Sequence, residues 1–183
     1  MTAIISSDSA SWPSKIPTGA DVFISALGTT RARAGGFENQ KKTDYDFNLE
    51  LAKAAKAAGT KSYVLISSHG AHSASRFAYP QMKGQIEDAV KALDFDHVVF
   101  VRPGLLVGER SELRGAELVL QRLAGFTGGV SNRLKDPWAQ EADVVAKAAV
   151  QAGLDCAEGR ETEKVRVLSQ SDIVRLGRTE WQE

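Results

Sequence analysis

Ser68, Tyr79 and Lys83 are the residues of this sequence whose types and spacing could carry out a reaction. Tyr79 and Lys83 lie one helical turn apart, so in a helix they share a face. A phenol normally titrates near ~10, and a neighbouring lysine ammonium favours its ionised form, which would let it exchange protons at neutral pH. Ser68 could hold a carbonyl or alkoxide oxygen by a hydrogen bond. Together the three residues could relay a proton during hydride transfer to or from a carbonyl.

The sequence leaves choices open around this trio. Tyrosine and lysine at this spacing are also common on solvated helices, so the spacing alone does not assign the chemistry. Pro80 disfavours helical geometry at the residue before it, which predicts that Tyr79 is a helix cap and not an interior position. Ser67 stands next to Ser68 and is the alternative choice of serine.

Histidines near Ser68 raise two other kinds of chemistry, and the sequence disfavours both. A serine hydrolase that uses Ser68 with His69 or His72 would lack the G-x-S-x-G nucleophile elbow, and adjacent side chains at a strand end diverge. A metal site formed by His69, His72 and His97 is a poorer interpretation than turn or surface histidines. We therefore predict no metal site.

Nearly continuous apolar runs predict the strands that must position these side chains. The runs are rich in Val, Ile and Phe, which is typical of strands covered on both faces in a parallel sheet. They are residues 21–27, 62–67 and 97–102, with 164–169 as a fourth strand and 2–6 as a weak fifth.

Segments with helical periodicity separate these runs. They are residues 38–59, 80–95, 116–125 and 141–153, and residues 126–137 form the most loop-like stretch. A strand, helix, strand, helix, strand order predicts right-handed crossovers. The predicted fold class is therefore α/β, with a doubly wound parallel sheet.

The carboxyl ends of the predicted strands share one composition. They read SALGTT, ISSHGA, VRPGLLVG and LSQSD, and are rich in small or hydroxylic residues that let a flat ligand approach the backbone. Any one of these glycines alone is best understood as a turn residue. Because ligands of open α/β sheets bind beyond the carboxyl ends of strands, their common location favours a binding site.

Length and composition limit the classes of function. A chain of 183 residues predicts a single domain, 1–183. A formal net charge of +0 and a pI near 6.8 give no general attraction to nucleic acid, so no nucleic-acid partner is predicted. The single cysteine, Cys156, cannot form an internal disulfide. No signal or transit peptide and no apolar run of ~20 residues is visible, which indicates a soluble intracellular chain.

Several longer segments together resemble the atypical short-chain dehydrogenases/reductases. The resemblance is most specific to the fungal found-in-mitochondrial-proteome family, which is related to the Tat-interacting oxidoreductase. It covers most of the chain and rests on VFISALGTTRARAGGF, DYDFNLELAKAAKAAG, YVLISSHGAHSASRFAYPQMKGQIE, VRPGLLVGER and LSQSDIVRLGRTEW.

The resemblance implies a Rossmann domain that binds NADP or NAD and reduces or oxidises a small carbonyl compound. It implies that the active-site serine, tyrosine and lysine are Ser68, Tyr79 and Lys83. The residues implied near the adenosine half of the cofactor are Ala26, Leu27, Gly28 and Thr29, and those implied near the nicotinamide are Arg102, Pro103 and Gly104. Asp44 stands where many relatives carry a helix asparagine that helps to complete the relay.

The sequence departs from that family at its beginning. The family pattern starts with a strand and a glycine-rich turn that places the cofactor pyrophosphate at a helix N-terminus. We find no such segment, so we expect a Rossmann-like sheet that lacks the first strand-helix-strand unit. Dinucleotide binding is then expected to be weak or absent.

Two functions of different classes remain open from the sequence. The first is an NAD(P)-dependent oxidoreductase with a Ser-Tyr-Lys relay. The second is a non-catalytic interaction protein that has lost the glycine-rich cofactor loop, with a protein or a peripheral membrane surface as its partner. For either one, the resemblance implies the mitochondrion, on the cytosolic face of the outer membrane.

Overall fold

The computed structural model describes residues 5–107, 136 and 138–181 and shows a Rossmann-like α/β fold. Within these residues, four parallel strands form one sheet in the order β1-β2-β3-β6, and two short parallel strands, β4 and β5, form a second. The strands are β1 (Val22–Ser25), β2 (Ser62–Ile66), β3 (His97–Val101), β4 (Leu105–Val107), β5 (Ala139–Glu141) and β6 (Val165–Leu168).

Helices follow the strands along the chain, as the periodicity predicts. They are α1 (Phe37–Lys41), α2 (Asn48–Ala57), α3 (Ala78–Lys91), α4 (Ala142–Ala157) and α5 (Gln170–Val174). A π-helical turn over Lys42–Phe47 joins α1 to α2, and a second, Arg175–Thr179, follows α5. Two short 3₁₀ turns, Ser9–Ser11 and Pro13–Lys15, precede β1.

The central strands are apolar at nearly every position because helices cover both faces of the sheet. Tyr63 and Leu65 of β2 are fully buried in one cluster with apolar residues of α2 and α3. Val64, between them, points to the opposite face and packs with residues of α4. Strands buried on both faces are the physical reason that the sequence shows continuous apolar runs and no alternation.

The pairing register confirms the predicted parallel sheet. Val64 lies opposite Ile24 of β1 and opposite Val99 of β3, and all three strand pairs of the larger sheet are parallel. The carboxyl ends of β1, β2 and β3 therefore lie along one edge, where the sequence predicts the binding site.

Two of the differences between the predicted and observed helix boundaries have a clear physical reason. Helix α3 begins at Ala78 and not at Pro80, so Tyr79 lies inside the first helical turn and is not a cap. This is possible because the first N–H groups of a helix have no intrahelical partner, and a proline there removes no hydrogen bond. Helix α4 continues past Gly153, where the absent side chain lets the helix approach β1: an added Cβ would lie 3.0 Å from Val22.

Some predicted elements lie outside the described residues. These are the helix at 116–125, the loop at 126–137 apart from Asp136, and residues 2–4 of the weak strand. The two described residues of that strand, Ile5 and Ser6, are not in a strand. No helix among the described residues is both long enough and apolar enough to span a bilayer.

Candidate functional site

Tyr79 and Lys83 lie on one face of α3, in its first two turns. The loop that leads from β2 to α3 packs tightly against this part of the helix, and the His72 N–H donates to the Pro80 carbonyl at 3.1 Å. Gly84 makes this contact possible because an added Cβ would overlap the backbone of His72 and Ser73. The glycine thus fixes the path of the loop that begins at Ser68.

We expect Gly84→Ala to destabilise the protein strongly, because the methyl group would force the loop away from α3. The cost should be about 2 kcal/mol or more in the free energy of unfolding, although alanine is the better helix former. Urea unfolding measures it. Gln85→Ala, at the next position of the same helix, is the matched control and should leave the midpoint nearly unchanged. Equal stability of the two variants would contradict the tight packing.

The Tyr79 hydroxyl interacts with the side chain of Ser68, although the tyrosine as a whole is 39% exposed. Burial of the hydroxyl end raises the pKa of Tyr79, the hydrogen bond from Ser68 lowers it, and the charge of Asp44 raises it further. The net direction is upward. The pKa of Tyr79 is therefore not below the usual value of a phenol, because burial outweighs the hydrogen bond from Ser68. The effect of Lys83 on this pKa stays a prediction.

Lys83 is almost completely buried, with 4% of its surface exposed. Its Nζ donates to the carbonyl of Ile66, the last residue of β2, at 3.5 Å. Burial lowers the pKa of Lys83, while the nearby carboxylates of Asp44 and Glu87 raise it. The contact with the Ile66 carbonyl places the amino group of Lys83 next to the end of β2.

The alternative serine, Ser67, is bound elsewhere. Its hydroxyl is buried and donates to Glu87 Oε1 at 2.5 Å. Its neighbour Ser68 is only partly buried and is the serine that reaches Tyr79. His69 is exposed, and the Nδ1 atom of His72 accepts the Ala74 N–H, so neither histidine is engaged with Ser68 through its ring.

A stripe of buried polar residues holds the loop after β1. Gln40, Asp44 and Asn48 recur every four residues along α1, the π turn and α2, and all are at least 95% buried. Asp44 accepts the Thr29 N–H at 2.7 Å, and Gln40 donates to the Thr29 carbonyl at 3.0 Å. Asn48 donates to the Leu27 carbonyl at 3.0 Å. The stripe therefore fixes the backbone of the loop for which the resemblance implies cofactor contacts.

Asp44 joins this loop to the buried lysine. Its carboxylate binds the Thr29 N–H and also acts on the charge of Lys83. Burial raises the pKa of Asp44, and the hydrogen bond from Thr29, the charge of Lys83 and the hydrogen bond from Gln40 lower it. Asp44 lies in a π-helical turn, a distortion that is frequent at functional sites.

The raised pKa of Asp44 predicts a pH-dependent effect of Asp44→Asn on stability. An aspartate whose pKa is raised by folding binds a proton more tightly in the folded state. The contribution of Asp44 to the free energy of unfolding is therefore complete below its unfolded pKa, 3.8, and is lost as the pH rises through its folded pKa. We expect the stability of Asp44→Asn relative to the wild type to increase as the pH rises above the unfolded value.

Chemical denaturation at several pH values measures this difference. Asp46→Asn, which changes an exposed aspartate of the same π turn, is the matched control. A relative stability of Asp44→Asn that falls as the pH rises would contradict the assignment.

Two small residues leave the backbone open where β1 ends. Ala26 and Gly28 are exposed, while the loop around them is held from behind by the polar stripe. Ala26 and Leu27 also line a groove of about 340 Å³ at the edge of β1, whose other walls include Trp12 and Phe23. A flat ring system could lie against this backbone without displacing a side chain.

Arg102, Pro103 and Gly104 extend β3 beside the chain that follows β2. The Ser67 N–H donates to the Val101 carbonyl and the His69 N–H to the Pro103 carbonyl, both at 2.8 Å, so the two chains stay paired beyond their strands. The guanidinium of Arg102 forms a two-pronged ion pair with Glu87, and the Gly104 N–H donates to Gln140 Oε1 at 2.7 Å. An added Cβ at Gly104 would overlap the carbonyl of Trp138.

Sequence reasoning missed the buried polar residues behind the site, namely Gln40, Asn48, Glu87 and Gln140. A signal existed for the first two, since polar residues every four positions on a helix with a buried face require partners. No local signal marks Glu87, because its partners come from two other elements. Within the described part of the chain, no cluster of His, Cys, Asp or Glu has the arrangement of a metal site.

A phenol, an alcohol and a buried ammonium thus meet at the carboxyl ends of parallel strands. The phenol is protonated at neutral pH, since its pKa is raised further above an ordinary value of 10.0, and it is partly open to a ligand. Such an arrangement can donate a proton to an oxygen atom held by Ser68. Among the described residues, neither neighbouring histidine is placed to activate the serine, as nucleophilic catalysis would require.

Comparison of the sequence with known proteins finds a family model and fungal relatives. The HIM1 family model matches residues 15–124. The chain is 53% identical over 184 residues to "Protein fmp52, mitochondrial" of Aspergillus clavatus, a match that covers 97% of this chain and 78% of the relative. It is 44% identical over 191 residues to "Protein fmp-52, mitochondrial" of Neurospora crassa, covering 100% of this chain and 78% of that protein.

Comparison with solved structures gives the same fold at low identity. A UDP-N-acetylglucosamine 4-epimerase from Methanobrevibacter ruminantium matches with a TM-score of 0.61 at 14% identity, over 86% of this chain and 57% of the epimerase. The Bordetella bronchiseptica enzyme WbmG in complex with NAD matches with a TM-score of 0.53 at 17% identity, over 81% of this chain and 50% of that enzyme. The chain spans about half of these structures, and at such identity the likeness shows the fold alone.

Proposed function

We propose that this chain, which belongs to the Fmp52-like group of atypical short-chain dehydrogenases/reductases, is an NAD(P)-dependent oxidoreductase of small carbonyl compounds. The observation that carries this proposal is the position of Lys83, which is buried one helical turn after Tyr79 and donates to the carbonyl of Ile66, two residues before Ser68. The same arrangement favours an enzyme over a non-catalytic interaction protein, because an interaction surface needs no buried lysine behind a tyrosine.

The residues at the strand ends fit a nicotinamide dinucleotide. Ala26 and Gly28 expose the backbone on the β1 side, and Leu27 and Thr29 are fixed by hydrogen bonds from behind. We propose that these four residues contact the adenosine half. On the β3 side we propose that Arg102, Pro103 and Gly104 lie beside the nicotinamide. Arg102 would do so while paired with Glu87, through its backbone or the outer face of its guanidinium.

Side chains of this protein would donate the proton and bind the substrate oxygen. A reduced nicotinamide, when bound, supplies a hydride to the carbonyl carbon and is itself oxidised. Tyr79 donates its phenolic proton to the carbonyl oxygen, which becomes the alcohol hydroxyl. Ser68 holds that oxygen through a hydrogen bond, and Lys83 supplies positive charge near the phenolate that Tyr79 becomes.

We further propose that the protein works in mitochondria, on the cytosolic face of the outer membrane. The names of the relatives from Aspergillus clavatus and Neurospora crassa support the organelle. Protease treatment of intact mitochondria tests the membrane face, because a tagged protein on the cytosolic side is degraded while matrix proteins survive. Recovery of the tagged protein in the secretory pathway would overturn both parts of this proposal.

Transfer of a labelled hydride tests the oxidoreductase activity. Purified protein is incubated with NADPH or NADH deuterated at C4 and with a set of aliphatic and aromatic aldehydes, and the alcohols are analysed by mass spectrometry. We expect deuterium in the alcohol carbon, since the hydride passes directly from the cofactor. Absence of labelled alcohol from every aldehyde, in the presence of bound dinucleotide, would contradict the proposed reaction.

A further inference from the structure

Glu87 connects three elements behind the site. It lies on α3 one turn after Lys83 and is 1% exposed. One carboxylate oxygen accepts from Ser67 Oγ at 2.5 Å and from Arg102 Nε at 2.9 Å, and the other accepts from Arg102 Nη2 at 2.5 Å. Ser67 follows β2 and Arg102 follows β3, so one carboxylate links the helix to both strand ends.

The position of these contacts bears on the separation between Ser68 and Tyr79. Ser68 is covalently next to Ser67, which Glu87 holds, while Tyr79 stands on the same helix as Glu87 itself. Any movement of α3 relative to the end of β2 would therefore change the distance between the two hydroxyls. A buried carboxylate that binds both strand ends resists that movement, because breaking its contacts leaves an unpaired charge in the interior.

We propose that Glu87 is a positioning residue of the site, which sets the separation of Ser68 and Tyr79 by clamping the ends of β2 and β3 onto α3. The proposal rests on the proposed function for its catalytic meaning, but the geometry that it describes can be measured without activity. The charge of Glu87 also acts on Lys83, which lies one turn earlier on the same helix.

The test uses the full chain with three substitutions. Glu87→Gln keeps the length of the side chain and removes its charge, and Glu87→Asp keeps the charge but shortens the reach to Ser67 and Arg102. The control is Glu50→Gln, which removes an exposed carboxylate of α2. If Glu87→Gln fails to fold, the more conservative Glu87→Asp carries the test.

Tyrosine labelled with ¹³C at Cζ gives a readout that loss of stability alone would not change. The chain has three tyrosines, and Tyr79→Phe assigns the resonance of Tyr79. Ser68→Ala is the reference variant, because it gives the chemical shift of Tyr79 without the hydroxyl of Ser68. We expect both Glu87 variants to move the Tyr79 resonance toward that position and to raise the pH midpoint of its titration, because the hydrogen bond from Ser68 lowers the pKa of Tyr79.

Kinetics provide the second readout. We expect Glu87→Gln to lower kcat by about 100-fold, because misplacement of reacting groups by an ångström has effects of that size. The KM of the dinucleotide should rise as well, because Arg102, a partner of Glu87, is proposed to lie beside the nicotinamide, so kcat is compared at saturating dinucleotide. Glu50→Gln should match the wild type in both readouts.

The outcomes separate this proposal from the proposed function. If the wild type shows no turnover, the proposed function fails, and the Tyr79 resonance alone decides the role of Glu87. If Glu87→Gln and Glu87→Asp are folded and their Tyr79 resonance coincides with that of the wild type, Glu87 contributes only to stability and the positioning proposal is overturned.

Discussion

Tyr79→Phe is expected to reduce turnover of a carbonyl substrate by about 10²- to 10⁴-fold, the range that proton transfer by a positioned side chain contributes. The substitution removes the transferable phenolic proton that lies beside Ser68 and keeps the aromatic ring. Because Tyr79 is 39% exposed and loses only its hydroxyl, the midpoint of thermal unfolding should change little. Steady-state kinetics with saturating dinucleotide measure the effect.

Tyr45→Phe is the control for this substitution. Tyr45 lies in the π turn and packs against the apolar cluster that α2 shares with β2 and α3. It should keep wild-type kcat. Equal turnover of Tyr79→Phe and the wild type would show that the proton comes from another group.

Lys83→Met is expected to lower kcat by about 100-fold to 1,000-fold, the range for loss of one electrostatic stabiliser of the transition state. Methionine fills a similar volume in the buried position but removes the positive charge that stabilises the phenolate. Folding should survive, because burial lowers the pKa of Lys83 and its charge therefore costs stability at neutral pH. Because folding lowers the pKa of Lys83, its contribution to the free energy of unfolding is complete above the unfolded pKa. That contribution is lost as the pH falls through the folded pKa.

Chemical denaturation at several pH values tests this predicted pH dependence of stability. The stability of Lys83→Met relative to the wild type should be greater at low pH than at high pH. Lys53→Met, on the exposed side of α2, is the control for adding a methionine. A variant with normal kcat would remove Lys83 from the proposed relay.

The sheet could be predicted from the sequence because each strand is marked by the composition of its own residues. Residues 62–67 and 97–102 are apolar at almost every position, and in a chain where such short runs alternate with helical periodicity this pattern is typical of buried parallel strands. The common face of Tyr79 and Lys83 was equally predictable, since it depends only on helical spacing. The start of α3 was not, because a proline is accepted in the first turn of a helix as well as before it.

Properties that depend on packing between distant segments could not be predicted. The pKa of Tyr79 rises because the fold buries its hydroxyl end, and no neighbour in the sequence reports that burial. Glu87 becomes the partner of Ser67 and Arg102 only when α3 lies across the ends of β2 and β3. The choice between Ser67 and Ser68 also required the structure, because it depends on which serine faces Glu87 and which faces Tyr79.

Titration of the protein with NADPH and NADH, followed by the fluorescence of the reduced nicotinamide, tests the central claim most directly. The claim is that the carboxyl ends of β1 and β3 hold a dinucleotide beside Ser68 and Tyr79, and binding can be measured before any substrate is known. We predict a saturable increase in fluorescence with at least one of the two dinucleotides, which excess oxidised cofactor reverses. The affinity is expected to be weak, because the sequence shows no glycine-rich turn for the cofactor pyrophosphate. A linear response with no saturation for both dinucleotides would contradict the account.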